Sequence, residues 1–396
     1  VRWFEYQWPI LRTTQRWIVK LIACFSLLIL QLEANEAVSD YNTNLSAELL
    51  KRLYEADENL LISPFSIQNS LMALYMGSDT MSEVEIKRAL KLNQQKDQEL
   101  QALANIRSVL ADNKWRNLLS FSHAIWLHSP HEVEEEYASL VKSHLQVDVE
   151  NCDLTLPPYA KGRINDWASQ KSKKKIPQFF NESPYEASTR AILTDIATMK
   201  SSWKYPFKVK EGVEDLFFCE REGALPQKQS YMTRSGTHDY FENDKLQLLS
   251  LDLNNNLKFM ILLSKDQKLE KGLNDFESVI LDLPAYEEKL SPTPIYIQIP
   301  KFSFSKQSNL NQAMMSLGMI KSFTRRGDFS NMTKNSSLYL SNLLHHSYIN
   351  INEWGIDGTS SLFAVAKDHQ LKCEKVSHDF IANRPFLYLV LDTKHH

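Results

Sequence analysis

Ile349-Asn350-Ile351-Asn352-Glu353-Trp354-Gly355 and Phe380-Ile381-Ala382-Asn383-Arg384-Pro385-Phe386 are the two stretches that decide how this chain folds. Both read as buried strands. Residues 356–379 between them are polar and lack a helical period. A compact domain seldom holds so long an irregular connection unless it is functional or disordered. The expectation is an exposed loop, about 354–379, held between two core strands.

Upstream, helices come first and strands later. Ser63-Pro64 caps and opens a helix. Ile67, Leu71, Leu74 and Tyr75 follow at helical spacing until Gly77. Ser82-Glu83-Val84-Glu85 has the pattern of a capping box that opens a second helix. Leu119, Phe121 and Ile125 read as a strand, and Ile164, Trp167 and Ala168 as a helix ending in Lys171 to Lys175. Ala191 to Met199 reads as a strand. Leu257 to Leu263 is almost unbrokenly apolar, the mark of a strand buried on both faces. Ile295, Ile297 and Ile299 alternate strictly, with Phe302 and Phe304 beyond. Leu310, Met314 and Leu317 form a helical stripe ended by Gly318. Phe386 to Leu391 reads as a last strand. The mixture predicts an α+β architecture.

The 396 residues are 43% hydrophobic and 23% charged, an ordinary globular composition with no linker-like stretch and no internal repeat. The net charge of −3 argues against a nucleic-acid partner. Arg16 and Lys20 flank a short apolar run, Leu21 to Leu30, with small residues at Ala34 and Ala37. This reads as a secretory signal within residues 1–37, since a membrane span needs about 20 apolar residues. The expectation is a secreted, extracellular monomer with one domain over 38–396 and no membrane contact. Cys24 leaves with the signal, and the odd set Cys152, Cys219 and Cys373 is no disulfide framework. Asn44, Asn181, Asn331 and Asn335 head sequons and are glycosylation candidates in a secreted chain.

No catalytic constellation is visible. There is no Gly-x-Ser-x-Gly elbow and no phosphate-cradling glycine loop. His131-Glu132 lacks the second His of a zinc helix, and there is no Cys-x-x-Cys pair. The chain is read as no enzyme, with no cofactor and no metal. The run Lys171-Ser172-Lys173-Lys174-Lys175 is read as a solvated helix end suited to the helix dipole. A weak polyanion contact is the alternative.

Several segments resemble the serpin family. Asn59-Leu60-Leu61-Ile62-Ser63-Pro64-Phe65-Ser66-Ile67 is similar to the start of that family's helix B, and Ile164-Asn165-Asp166-Trp167 to its helix F motif. Lys200-Ser201-Ser202-Trp203, with Pro206-Phe207, looks like the end of strand 3 of sheet A. Pro300-Lys301-Phe302 and Asp328-Phe329-Ser330 match two further signatures. Ser341 to Gly355 matches the strand leading into the reactive loop, and Asn383-Arg384-Pro385-Phe386 its far border. The resemblance runs in family order from Asn59 to Phe386. It implies a five-stranded mixed sheet A, sheets B and C, about nine helices and an exposed reactive loop.

The implied function is suicide-substrate inhibition of a serine endopeptidase, by cleavage of the loop and its insertion into sheet A. The alternative is a non-inhibitory serpin with a carrier, storage or binding role and a degenerate hinge. The implied hinge comprises Glu353, Gly355, Ile356, Asp357, Gly358, Thr359, Ser360, Ser361 and Leu362. In a strand, Ile356, Gly358, Ser360 and Leu362 share one face, and Asp357, Thr359, Ser361 and Phe363 the other. The resemblance puts the first set against the core, so the alternation permits insertion. Against this, the family carries Thr or Ser at the place of Ile356 and alanines at 358–361, and Trp354 is a bulky ring beside Gly355. Family spacing puts the scissile bond at His369-Gln370 counted forward, or near Leu371-Lys372 counted back. Lys367 and Lys372 suit a trypsin-like protease and Leu371 a chymotrypsin-like one.

Ser63, Ser66 and His345 match the serpin region called the shutter, where Asp195 stands in place of the usual Asn. An ionised Asp only accepts hydrogen bonds. Pairing it with a protonated His345 carries a desolvation cost, so Asp195→Asn is expected to raise the thermal midpoint. Serpins also continue past the strand at Phe386 with a further sheet-B strand, which is missing before His396.

Overall fold

A computed structural model describes residues 41–55, 58–110, 118–129, 132–181, 188–209, 212–218, 225–254, 256–266, 269–334, 338–357 and 376–392. Nine α-helices lie among them, with fourteen strands in two sheets.

The first sheet contains β1 (Leu119–His128), β2 (Val147–Cys152), β3 (Ala191–Met199), β4 (Ser201–Ser202), β10 (Phe302–Asn309), β11 (Asn342–Asn352) and β12 (Gly355–Ile356). Its long strands run in the order β2-β1-β3-β11-β10. These are the five expected strands, and β4 and β12 are additions of two residues each. The central pair β3 and β11 is parallel, from Ile192↔Asn342 to Thr198↔Tyr348. Beyond that register the two strands no longer pair, and β12 occupies the space between β11 and β4.

The second sheet contains β5 (Val213–Phe217), β6 (Gln227–Glu242), β7 (Leu246–Asp252), β8 (Leu257–Ser264), β9 (Ser291–Pro300), β13 (His378–Ile381) and β14 (Leu387–Asp392). The expected sheets B and C are joined into one hydrogen-bonded sheet. The reason is the length of β6, which pairs with β5 at its start, β9 along its middle and β7 at its end.

The alternation of Ile349 and Ile351 carries over into packing. Together with Ile356 and Trp203 they form one core with Phe259, Ile261, Ile295, Ile297, Ile299 and Phe380 of the second sheet. The opposite face of the first sheet is also covered. Trp126, Ile192, Ile196 and Leu344 pack under the helix Pro157–Lys171 and the segment that returns from it, through Ile164, Trp167, Ile176, Phe179 and Phe180.

Helix Pro64–Gly77 is buried along its whole length after Phe65, and its buried polar residues Ser66, Asn69 and Ser70 each hydrogen-bond to a neighbouring element. Ser63 is its N-cap, and the side chain accepts from the Ser66 amide. The second helix corrects the reading of Ser82. It spans Thr80–Ala89 and is capped by Asp79, which accepts from the Thr80 amide. Ser82 Oγ accepts from the Asp328 amide instead, and Glu85 accepts from the Lys321 and Ser322 amides. The cap pattern thus serves a distant loop. The second deciding stretch is likewise two elements: β13 ends at Ile381, and β14 begins only at Leu387, since Pro385 lacks the amide a ladder needs.

Candidate functional site

The start of the expected exposed loop is inside the sheet. After β11 the chain turns at Glu353-Trp354, and Gly355-Ile356 come back antiparallel to it. On their other side they pair with Ser201-Ser202. The turn is held by the Trp203 amide donating to the Trp354 carbonyl at 3.1 Å, and by the Phe207 amide donating to the Glu353 carbonyl at 3.0 Å. Trp203 Nε1 donates to the Asn352 carbonyl, and Lys301 pairs with the Glu353 carboxylate at 2.9 Å. Gly355 has φ +140°, and a Cβ there would lie 2.1 Å from the Ser201 carbonyl oxygen. No other residue type fits that approach.

Ile356 is 0% exposed and belongs to the core between the sheets. Asp357 points the other way. Its amide donates to the Asn350 carbonyl, and its carboxylate meets Lys175 Nζ at 2.8 Å. Ile356 thus faces the core and Asp357, in a left-handed conformation with φ 47°, the outer face of the sheet. Gly358, Thr359, Ser360, Ser361 and Leu362 lie outside the described residues, as do the reactive-bond candidates Lys367, His369, Gln370, Leu371 and Lys372.

Lys175 corrects the reading of the lysine run. The helix stops at Lys171, which pairs with Asp148 at 2.8 Å. Lys173 and Lys174 take left-handed conformations with φ 52° and 65°. That turn carries Lys175 back over the sheet, where its ammonium also sits 5.3 Å from the Tyr348 ring centroid. Only Lys173 and Lys174 are exposed in the manner of a solvated end.

Ser63, Ser66, Asp195 and His345, the residues matched to the shutter, come together where β3 meets β11. Asp195 and His345 are register partners, and His345 Nδ1 lies 3.0 Å from Asp195 Oδ2. Ser66 Oγ donates to Asp195 Oδ1. The Ser63 amide donates to His345 Nε2 at 3.1 Å, and Ser347 Oγ lies 2.6 Å from the same nitrogen. An amide can only donate, so His345 Nε2 is an acceptor and the ring proton sits on Nδ1, facing the carboxylate. His345 is therefore a neutral donor here, which corrects the expected protonated partner.

Sequence reading missed three members of this cluster. His123 on β1 is the register partner of Asp195 on its other side, with Nδ1 3.3 Å from Oδ1. Arg107 Nη1 lies 3.3 Å from His123 Nε2, and Ser70 Oγ 2.9 Å from Nδ1. His123 and Ser70 are 0% exposed and Arg107 7%. The available signal was a lone His at the head of the apolar run Ala124 to Leu127, but the partner strand was not deducible. Burial alone would raise the Asp195 carboxyl, yet His345 and His123 beside it outweigh that and hold it well below its usual range. Burial lowers His123 despite the carboxylate, and it brings Arg107 down to about 10.

Of the glycosylation candidates, Asn44 is half-buried on the helix over residues 41–53 and its Oδ1 accepts from Lys91. Asn181 is exposed, and Asn331 donates through Nδ2 to the Ser78 carbonyl. Asn335, Cys24, Cys219, Cys373 and residues 1–40 lie outside the described residues, and Cys152 is a buried free thiol. Among the described residues no helix is long and apolar enough to cross a membrane.

Comparison with known proteins returns the same architecture. The family model for serpins (serine protease inhibitors) matches residues 40–396. Human plasminogen activator inhibitor 2 is 25% identical over 398 residues, covering 88% of this chain and 94% of that protein. The crystal structure of Serpin48 from the insect Tenebrio molitor superposes with a TM-score of 0.78 at 20% identity, covering 91% of this chain and 95% of that one. Thyroxine-binding globulin in complex with thyroxine gives 0.79 at 19% identity, with coverage of 92% and 96%.

Proposed function

The chain belongs to the serpin family, and we propose that it is a secreted, monomeric suicide-substrate inhibitor of a trypsin-like or chymotrypsin-like serine endopeptidase. The protease serine attacks a loop carbonyl between residues 366 and 373, an ester forms, and the amine side of the loop leaves. The acylated side of the loop then enters the first sheet between β3 and β11 and carries the protease with it before water reaches the ester. Energy stored in the uncut fold drives that step.

The observation that carries this reading is β12. Its two residues, Gly355 and Ile356, already occupy the space that an inserting strand must fill, with Ile356 in the core and Asp357, just past them, paired with Lys175 on the outer face. The route is open to the chain's own residues at its first step. Incubation with trypsin-like, chymotrypsin-like and elastase-like proteases tests the reading. A band at the summed mass that survives boiling on a denaturing gel is the expected product. Cleavage between 366 and 373 without such a band leaves the loop a mere substrate and removes the inhibitory assignment.

A second reading, a non-inhibitory serpin with a binding role, rests on Ile356, where the family's usual Thr or Ser is replaced by a larger, wholly apolar side chain that is buried in the core. Melting before and after loop cleavage separates the two. An inserting loop raises the midpoint sharply, and an unchanged midpoint supports the second reading.

A further inference from the structure

A two-residue strand is too short to hold itself in a sheet, so contacts outside the ladder must keep β12 seated. Gly355 makes the close approach to Ser201 possible but supplies no attraction. Ile356 supplies burial, which has no direction of its own. Gly355 alone fits against Ser201 and so excludes a slipped register, and the contact at Asp357 adds the directed attraction. A slip of one residue would turn every side chain to the opposite face, sending the Asp357 carboxylate into the core beside Trp203 and Ile351. Lys175 stands on the outer face of the sheet, so it meets residue 357 only in the observed register.

We propose that Lys175 is a positioning residue for loop insertion: through Asp357 it seats the first residues of the loop between β11 and β4 in the register that insertion requires. This rests on the insertion reading above. The side chain is well placed for the task. Ser172 Oγ accepts from the Ile176 amide at 2.9 Å, and Ile176 is 1% exposed beneath the returning segment. Lys175 lies between that anchor and the left-handed turn at Lys173-Lys174. The Tyr348 ring, one residue short of Ile349 on β11, flanks its ammonium. Helix, returning segment and loop base are thus tied together at one cation. Because the seated residues form the nucleus from which the rest of the strand zips in, the tie acts on the race between insertion and hydrolysis of the ester, not on the initial attack.

Two variants test this, Lys175→Gln and the exchange of charges Lys175→Asp with Asp357→Lys. Amide hydrogen exchange at Gly355, Ile356 and Asp357 in the uncut protein reports seating. The number of inhibitor molecules consumed per protease trapped reports insertion. Lys175→Gln is expected to speed exchange at those three amides and to raise consumption about two- to fivefold, the range of a partly exposed ion pair, while the initial rate of loop cleavage stays constant. The charge exchange restores both readouts, which a structural role for either side chain alone would not do. Unaltered exchange in Lys175→Gln, or an exchanged pair no better than the single variant, overturns the proposal. If the wild-type chain traps no protease, the insertion reading fails and the role in inhibition with it, while the exchange data still decide whether Lys175 seats Asp357.

Discussion

Asp195 and His345 face each other across the seam between β3 and β11, carboxylate oxygen 3.0 Å from Nδ1, and both are at most 1% exposed. On the insertion route proposed above this is the seam that has to part, so a charged hydrogen bond crosses the line of opening. The carboxylate is not balanced by a protonated His345, whose Nε2 is occupied as an acceptor by Ser63 and Ser347. It is held by three donors, Ser66, His345 and His123, with the Arg107 guanidinium behind His123.

That arrangement reverses the sign expected for Asp195→Asn. An Asn has one acceptor oxygen where three donors now converge, and its amide would meet the ring proton of His123 or the Ser66 hydroxyl. His123 cannot switch tautomer freely, because Arg107 only donates and occupies Nε2. The substitution also leaves Arg107 buried without its carboxylate. A loss of about 3 kcal/mol is expected, read as a lower thermal midpoint at neutral pH. A rise would mean that relief of desolvation outweighs the lost donors, as the family's own Asn first suggested.

His346, next along β11, faces the opposite side of the sheet, with its ring edge-on to Phe179 and Nδ1 unpartnered. Burial pushes its pKa down to about 4, against about 6.5 unfolded. Between those values the unfolded chain binds more protons than the folded one, so stability falls as the pH drops from 6.5 towards 4. One such group contributes about 3 kcal/mol to the fall across the window. His346→Leu should flatten the dependence of the urea midpoint on pH without lowering the midpoint at pH 7. His123 and His238 are lowered in the same direction, so the slope shrinks and does not vanish. An unchanged slope would place the acid sensitivity elsewhere.

The parts of this molecule that sequence disclosed are those governed by local period. Ala191–Met199 and Ser291–Pro300 declared themselves by apolar runs or alternation, and Ser63-Pro64 by capping. The parts it concealed depend on which strands become neighbours. His123 and Asp195 are 72 positions apart and meet only because β1 pairs with β3. Lys175 looked like one more solvated lysine until the left-handed turn behind it was seen. Ser82 and Glu85 matched a cap pattern but bind amides about 240 residues away. The loop base misled for a different reason: residues 356 and 357 have loop-like neighbours, and only the gap between β11 and β4 gives Ile356 a core to enter.

Asn165 offers a separate test of the cover over the first sheet. Its Oδ1 accepts from the Phe179 and Phe180 amides at 2.9 and 2.8 Å, and its Nδ2 donates to the Phe180 carbonyl. These bonds dock the returning segment on the helix it came from and set both rings into the core with Trp126 and Trp167. Asn165→Ala removes all three and strands two buried amides. A loss of about 2–4 kcal/mol follows, with faster amide exchange at 179 and 180 before the rest of the chain. If exchange there stayed slow, packing of the two rings rather than Asn165 would be what holds the segment down.

Gly355 carries the last prediction. A methyl group at this position would sit 2.1 Å from the Ser201 carbonyl oxygen and 2.6 Å from Ser202 Cα, on a backbone with φ +140°. Neither contact can yield, because both atoms belong to the neighbouring strand. Gly355→Ala therefore has one way out, which is to lift β12 from the sheet. Ile356 then loses its place in the core, at about 1.5–3 kcal/mol for a fully buried side chain. The variant should be less stable by that amount, with a lower thermal midpoint, and show fast exchange at Gly355-Ile356, yet keep the far-ultraviolet spectrum of the wild type, since no long strand depends on β12. If insertion starts from the seated pair, the variant is also cut at the wild-type rate while trapping a smaller share of protease. Full stability and full protection in Gly355→Ala would show instead that the seat accommodates a side chain, and β12 would cease to be the starting point for insertion.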